Sequence, residues 1–251
     1  MHTMLSMSKI ARVLDCDGTI IRKLKDKTLL ELLLLEYCKS RPFLEKTDLY
    51  FRATLIKSAS AVLKSINKAF FGNSYYITGE TNLLRLCDLL YIRKAKIPCS
   101  FMEQFAAKHT HFLSPRIRQA ISSRKDDLYI VTAEPRQLIE EVLKQANLHN
   151  FVKDIYGTSF EIKNGEIVGF DKLWLYAGVR GKHIGLEKIL ARGYDKIYAI
   201  GDSVADIGLF SHESQKVLPF TFDDSPAELR NYVVKNGGYV VHTLDEFFTY
   251  V

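Results

Sequence analysis

The stretch Ile10–Thr19 has the sequence IARVLDCDGT, in which a mostly apolar run leads directly into two aspartates separated by one residue. Such a run is typical of a buried strand, and two carboxylates at its end repel each other unless a cation or a proton lies between them. Gly18 permits a backbone turn sharp enough to direct Asp15 and Asp17 to one place. The stretch therefore predicts a strand with an acidic site at its carboxyl end, although an isolated Asp-x-Asp-Gly also fits an ordinary turn.

A second acidic motif follows another short apolar run near the other end of the chain. Lys196–Ile200 precedes Gly201 and Asp202, and Asp206 comes four positions after Asp202. Clustered carboxylates suit a hard divalent cation, above all Mg²⁺, which keeps several waters and takes few protein ligands. The motif therefore predicts a metal site at the end of a second strand.

Two further motifs lie between the acidic ones. Leu128–Thr132 is an apolar run that ends in a hydroxyl residue, and Pro135 suits the first turn of the helix expected over Arg136–Gln145. Thr132 and the backbone N–H groups after it should therefore face the same edge of the sheet as the acidic motifs. Further along, Lys182 is expected to lie just before a helix over Ile184–Leu190.

These four motifs, in this order, resemble the haloacid-dehalogenase-like superfamily of phosphotransferases, and within it the phosphoserine-phosphatase-like branch. The resemblance covers roughly residues 9–22 and 120–250. It implies that Asp15 is a nucleophile that becomes an aspartyl-phosphate, and that Asp17 acts first as general acid and then as general base. It also implies that Thr132 and Lys182 hold the phosphoryl oxygens, with Lys182 neutralising Asp15.

The resemblance further implies a Mg²⁺ ion held by Asp15, the backbone carbonyl of Asp17, and Asp202, with Asp206 as a ligand or as support close behind. A carboxylate can attack an anionic phosphate ester only if a metal ion and a lysine cancel the repulsion between them. The residues expected to contact the substrate are Gly18, Thr19, Arg22, Thr132 and Ala133.

The alternation of strand and helix patterns predicts an α/β fold, with a Rossmann-like, mainly parallel sheet flanked by helices. The strands are expected over Lys9–Leu14, Leu128–Val131, Asp154–Tyr156, Lys196–Ile200, Lys216–Pro219 and Tyr239–Val241. The dipeptide Asn164-Gly165, between Thr158–Lys163 and Glu166–Gly169, predicts a small antiparallel hairpin.

Residues 23–114 are expected to form an all-helical cap, inserted into a catalytic core of residues 1–22 and 115–251. Apolar residues recur there every three or four positions, without strand patterns between them. The helices are expected over Lys27–Lys39, Asp48–Phe70, Thr81–Lys96 and Cys99–Lys108. A cap at this place can close over the site, exclude water and select the substrate.

The start of this insert differs from the phosphoserine enzymes of the family. They have a glutamate nine positions beyond the nucleophile that contacts the substrate amine, and the corresponding residue here is Leu24. This substitution argues against phosphoserine as the substrate. The basic residues around it, Arg22, Lys23 and Lys25, either recognise a second anionic group of the substrate or form a solvated linker.

The overall composition fits this interpretation. The chain has 251 residues, a formal net charge of +6 and a pI near 9.0. Its basic residues are dispersed and match no nucleic-acid-binding motif, so the expected partner is a small phosphorylated metabolite, not a nucleic acid. The apolar runs are too short or too interrupted to span a membrane, and Met1–Ser8 lacks the features of an export signal, which predicts a cytoplasmic protein. Nothing in the pattern indicates an oligomeric state.

Two alternatives belong to other classes. Cys16 and Arg22 have the Cys-x5-Arg spacing of cysteine-dependent phosphatases, but Asp17 within that loop would repel a phosphate. The second alternative is a non-catalytic or phosphotransferase relative whose basic surface binds an anionic partner. The sequence favours a Mg²⁺-dependent phosphatase that hydrolyses a small phosphomonoester.

Overall fold

The computed structural model describes residues 8–21, 28–42, 92–113, 117, 121, 126–171, 178–211 and 215–250. The strands, in chain order, are β1 (Ile10–Leu14), β2 (Ile97–Pro98), β3 (Asp127–Pro135), β4 (Asp154–Thr158), β5 (Phe160–Lys163), β6 (Glu166–Phe170), β7 (Lys196–Gly201), β8 (Val217–Phe222) and β9 (Tyr239–Val241). Six of these described strands form a parallel sheet in the order β4-β3-β1-β7-β8-β9. The predicted α/β sheet is confirmed, and β3 and β8 extend several residues beyond their predicted ends.

Helices cover both faces of the sheet. In chain order they are α1 (Leu29–Ser40), α2 (Cys99–His109), α3 (Arg136–Gln145), α4 (Gly178–Leu190), α5 (Ile207–Phe210), α6 (Ala227–Lys235) and α7 (Leu244–Thr249). Alternate residues of each strand point to opposite faces. Leu14 therefore packs in the layer of α1, α2, α3 and α7, whereas Val13 packs in the layer of α4, α5 and α6. This two-sided burial explains why β1 reads as an almost unbroken apolar run.

The strand order places β1 between β3 and β7. The chain builds one half of the sheet through β3 and β4, and then returns to the other side of β1 to build β7, β8 and β9. In open parallel sheets, ligands bind at the carboxyl ends of the strands where the order reverses in this way. The ends of β1, β3 and β7 carry the predicted motifs, so the topology brings these motifs to one edge.

Helix α4 differs from its predicted start. It begins at Gly178, so Lys182 lies inside the helix, and the expectation that it precedes the helix is wrong. Glycines lower helix propensity and obscured the first turns in the sequence. One of them has a packing reason: a Cβ at Gly185 would lie 2.5 Å from Val131 Cγ1 on β3. The small residue permits α4 to approach the sheet closely, near the strand that ends at Thr132.

The predicted hairpin is confirmed by β5 and β6, which pair antiparallel. Asn164 and Gly165 have φ angles of 52° and 76°, the left-handed pair that a two-residue hairpin turn requires. The structure adds β2, a two-residue strand from the insert, which pairs with β6. Residues 23–114, which were expected to be all-helical, therefore contain a strand as well as helices.

The described part of residues 23–114 packs against the parallel sheet. Leu30 of α1 and Phe105 of α2 belong to the same hydrophobic cluster as Leu14 and Ile130 of the central strands. The predicted helices over Lys27–Lys39 and Cys99–Lys108 correspond to α1 and α2. The predicted helix Asp48–Phe70 lies outside the described residues. Of the predicted helix Thr81–Lys96, only residues 92–96 are described, and residues 92–95 of these are helical. The division into a core and a cap of residues 23–114 stays a prediction. Within the described ranges, the structure contains no helix with the length and apolar character needed to cross a membrane.

Candidate active site

Three carboxylates converge at the carboxyl edge of the sheet. Asp15 follows β1 and Asp202 follows β7, its neighbour in the sheet, while Asp206 lies one turn further along. One oxygen of each carboxylate lies within 4.8 Å of one oxygen of the others, and all three residues are buried. A buried set of oxygen ligands at this spacing fits a hard divalent cation such as Mg²⁺. Asp17, whose side chain does not belong to this set, is half-buried.

Lys182 connects two of these carboxylates. Its Nζ donates a hydrogen bond of 2.6 Å to Asp15 Oδ1 and a second, short one to Asp206 Oδ1. Burial opposes the charge on Lys182, but the carboxylates of Asp15 and Asp206 outweigh it and raise the pKa of the ammonium above its usual value. Lys182 therefore supplies a fixed positive charge beside Asp15.

Asp15 itself is electrostatically destabilised in its ionised form. Its pKa is raised to about 8, mainly by burial. Lys182 lowers the pKa, whereas the carboxylates of Asp206 and Asp202 raise it further. A single lysine does not compensate three buried carboxylates. A divalent cation beside Asp15 would favour the ionised form and lower its pKa. The electrostatics and the ligand geometry therefore both fit a bound metal ion.

Asp206 holds neighbouring residues of the site in position through hydrogen bonds. It is fully buried, and its Oδ2 accepts hydrogen bonds from Asp202 N–H at 2.9 Å, Ser203 N–H at 2.8 Å and Ser203 Oγ at 2.9 Å. These bonds fix the loop that carries Asp202, while Oδ1 orients Lys182. A Cβ at Gly201 would lie 2.3 Å from Asp206 Cγ, so only glycine permits this close approach. Asp206 therefore supports the other charged groups, and Ser203, which the sequence did not indicate, holds it in place.

The loop after β1 is built around Gly18. Its φ is +78°, and a Cβ there would lie 2.1 Å from Asp202 Oδ2. The turn thus needs glycine both for its conformation and for the contact with the second acidic loop. The next residue, Thr19, is buried, and its hydroxyl has no hydrogen-bond partner within the part of the chain that the structure describes.

Thr132 lies in a bulge at the end of β3. The strand pairs Val131 with Tyr156 and then Pro135 with Thr158, so the three residues from Thr132 to Glu134 stand opposite Gly157 alone. Bulges redirect side chains at the ends of strands and are frequent beside active sites. Thr132 is buried, and its Oγ1 accepts a hydrogen bond of 3.0 Å from Glu134 N–H. Ala133, between them, is half-buried.

Cys16 is placed differently from a catalytic cysteine. Its side chain is fully buried in the hydrophobic cluster on the α1 side of the sheet. Burial, together with the carboxylates of Asp17 and Asp15, raises the pKa of the thiol well above its usual value. A cysteine nucleophile needs a thiolate, so this position contradicts the cysteine-dependent mechanism. Its proposed partner Arg22 lies outside the described residues, as do Lys23, Leu24 and Lys25, and their roles stay predictions.

Comparisons with known proteins identify a family and a fold. The family model described as haloacid dehalogenase-like hydrolase matches residues 13–211. No curated protein sequence matches the chain. A substrate-bound phosphoserine phosphatase complex is similar in structure, with a TM-score of 0.61 and 13% identity over 98% of this chain and 100% of that one.

Two other solved structures show the same likeness. A phospho-aspartyl intermediate analogue of phosphoserine phosphatase has a TM-score of 0.57 and 13% identity, covering 98% of this chain and 100% of that one. Cytosolic 5′-nucleotidase IIIB bound to cytidine has a TM-score of 0.63 and 18% identity, covering 96% and 83%. At such low identity these likenesses show a common fold.

Proposed function

The chain belongs to the haloacid dehalogenase-like hydrolases, and on that premise we propose that it is a Mg²⁺-dependent phosphatase that hydrolyses a small phosphomonoester. The observation that carries the proposal is the contact of Lys182 with Asp15 beside Asp202 and Asp206, all at the end of the central strands. Burying four such groups together costs free energy, because each loses its hydration. A protein that only bound an anionic partner would have no physical reason to keep them.

The first half-reaction transfers the phosphoryl group to Asp15. A carboxylate oxygen of Asp15 forms a bond to phosphorus while the bond to the ester oxygen breaks, which gives an aspartyl-phosphate. Lys182 stabilises the charge that develops on the phosphoryl oxygens, and Thr132 Oγ and Ala133 N–H would bind the same oxygens. Mg²⁺, held by Asp15, Asp202 and the carbonyl of Asp17, would supply Lewis-acid stabilisation of this charge.

Asp17 acts in both half-reactions, the second of which regenerates the enzyme. Asp17, whose carboxylate lies outside the group of three, donates a proton to the departing alkoxide in the first step. It then takes a proton from a water molecule that attacks phosphorus, so that inorganic phosphate leaves and Asp15 regains its carboxylate. Gly18 and Thr19 would line the site on the side of the nucleophile loop. The identity of the alcohol depends on the insert, where Leu24 argues against phosphoserine.

A screen of phosphorylated metabolites, with p-nitrophenyl phosphate included, tests this proposal. We expect hydrolysis that EDTA abolishes and that added Mg²⁺ restores. Without the cation, the buried carboxylates would repel an anionic phosphate ester. Cys16→Ala is the matched control, since it alters the residue between the two aspartates and leaves both in place. It should keep activity within several-fold, whereas EDTA-resistant activity that disappears in Cys16→Ala would support the cysteine mechanism instead.

A further inference from the structure

Glu134, in the bulge of β3, contacts the first helix of the insert. It is fully buried, and its Oε2 accepts a hydrogen bond of 2.7 Å from the backbone N–H of Leu30, a residue 104 positions earlier. A buried carboxylate is costly unless hydrogen bonds compensate its lost hydration. This long-range contact therefore fixes the position of the bulge relative to α1.

The N-terminus of α1 is built to receive this carboxylate. Thr28 Oγ1 accepts from Glu31 N–H and Glu31 Oε2 accepts from Thr28 N–H, both at 3.2 Å, which forms a capping box. The N–H of Leu30, in the same first turn, donates to Glu134. The positive end of the helix dipole favours a negative charge at this place. The N-cap residue Thr28, Glu31 of the helix and Glu134 of β3 thus share the capping of α1.

The backbone of Glu134 is held as firmly as its side chain. Its N–H donates to Thr132 Oγ1 at 3.0 Å, which occupies a lone pair of the hydroxyl and leaves the hydroxyl hydrogen to donate elsewhere. On the other side, a Cβ at Gly157 would lie 2.6 Å from the carbonyl oxygen of Glu134. The orientation of the Thr132 hydroxyl therefore depends on where Glu134 lies.

We propose that Glu134 is a positioning residue that ties the phosphate-binding bulge to the first helix of the insert. It keeps Thr132 and Ala133 in the orientation that binds phosphoryl oxygens, and it transmits a displacement of α1 to these two residues. This inference rests on the proposed function, because it assigns phosphate binding to the bulge.

The test is the inhibition constant of inorganic phosphate, measured for the unaltered protein and three variants at a temperature where all are folded. Glu134→Asp keeps the charge but is too short to reach Leu30 N–H, so its inhibition constant should rise about tenfold, the effect of one lost charge-assisted hydrogen bond. Glu134→Gln has the original length and an amide oxygen that accepts the same bond, so it should stay within about threefold. Thr28→Ala, the control, removes the cap bond to Glu31 N–H and leaves the bond between Leu30 N–H and Glu134 in place. It should lower Tm while leaving phosphate affinity within about twofold.

The outcomes separate this proposal from the proposed function. Failure of the unaltered protein to bind phosphate at all would contradict the proposed function itself. If the unaltered protein binds phosphate, an unchanged inhibition constant in Glu134→Asp, or an equal rise in Glu134→Gln or Thr28→Ala, would overturn the positioning role. Loss of folding in both Glu134 variants would also overturn it, because the proposal requires Glu134→Gln to keep the native contact.

Discussion

Replacing Asp15 with asparagine is expected to remove turnover almost completely, with kcat lowered by roughly a thousandfold or more. Asp15 lies at the end of β1, and its carboxylate contacts Lys182 at 2.6 Å. An amide of the same shape is a poor nucleophile and a weak ligand for a hard cation. The measurement is kcat of Asp15→Asn on the best substrate of the screen, or on p-nitrophenyl phosphate, at saturating Mg²⁺.

The fold of this variant should survive, which makes the result interpretable. The pKa of Asp15 is raised to about 8, so its ionised form is unfavourable in the protein without a cation. Asparagine has the same shape and no charge to be repelled by Asp202 and Asp206, so we expect a Tm close to that of the unaltered protein. Residual activity above a few per cent of the original in a folded Asp15→Asn would rule out Asp15 as the nucleophile.

Lys182→Ala and Asp202→Asn should both lower kcat/KM by roughly a hundredfold or more, for different reasons. Asp202→Asn removes a metal ligand, so excess Mg²⁺ should restore part of its activity by mass action. Lys182→Ala removes a fixed charge at a place that a mobile cation does not occupy, and added Mg²⁺ should leave it inactive. It also leaves the buried carboxylates of Asp15 and Asp206 without their cation, which should lower stability by about 3–5 kcal/mol.

Mg²⁺ titrations of activity for the two variants, alongside thermal melts, distinguish these roles. Cys16→Ala again provides a control with an intact charge cluster. Rescue of Lys182→Ala but not of Asp202→Asn would mean that the two assignments are reversed. Full activity of either variant at ordinary Mg²⁺ concentrations would remove that residue from the site.

The sheet could be predicted because its strands are buried on both faces. Patterns such as the one in Ile10–Leu14 leave little alternative to a central parallel strand, and each strand then places its next polar residue at the same edge. The hairpin at Asn164-Gly165 was equally determined, since few other dipeptides adopt two left-handed conformations in succession. These features depend on local sequence alone.

Other features depend on contacts between distant parts of the chain, which no local pattern contains. The start of α4 was not predicted because glycines lower the helix propensity of its first turns. Further along the same helix, Gly185 is needed for the close approach to Val131, which a local pattern does not show. Ser203 and Glu134 were missed because their roles come from hydrogen bonds to Asp206 and to Leu30. The sequence gives one signal for Glu134, which is its charge at the end of an apolar strand. Because Pro135 follows it, an ordinary helix start was the simpler interpretation.

Trapping the covalent intermediate, with Asp17→Asn and p-nitrophenyl phosphate, tests the aspartyl-phosphate mechanism directly. The nitrophenolate leaves without a proton, so the first half-reaction should proceed without the acid, whereas hydrolysis of the aspartyl-phosphate needs the missing base. We expect a burst of about one equivalent of nitrophenolate per site, followed by slow turnover. Borohydride reduction of the quenched protein should then convert position 15, and no other carboxylate, to homoserine in peptide mass spectra. Turnover without a burst and without a modified Asp15, or a phosphoryl group on another residue, would contradict the aspartyl-phosphate mechanism.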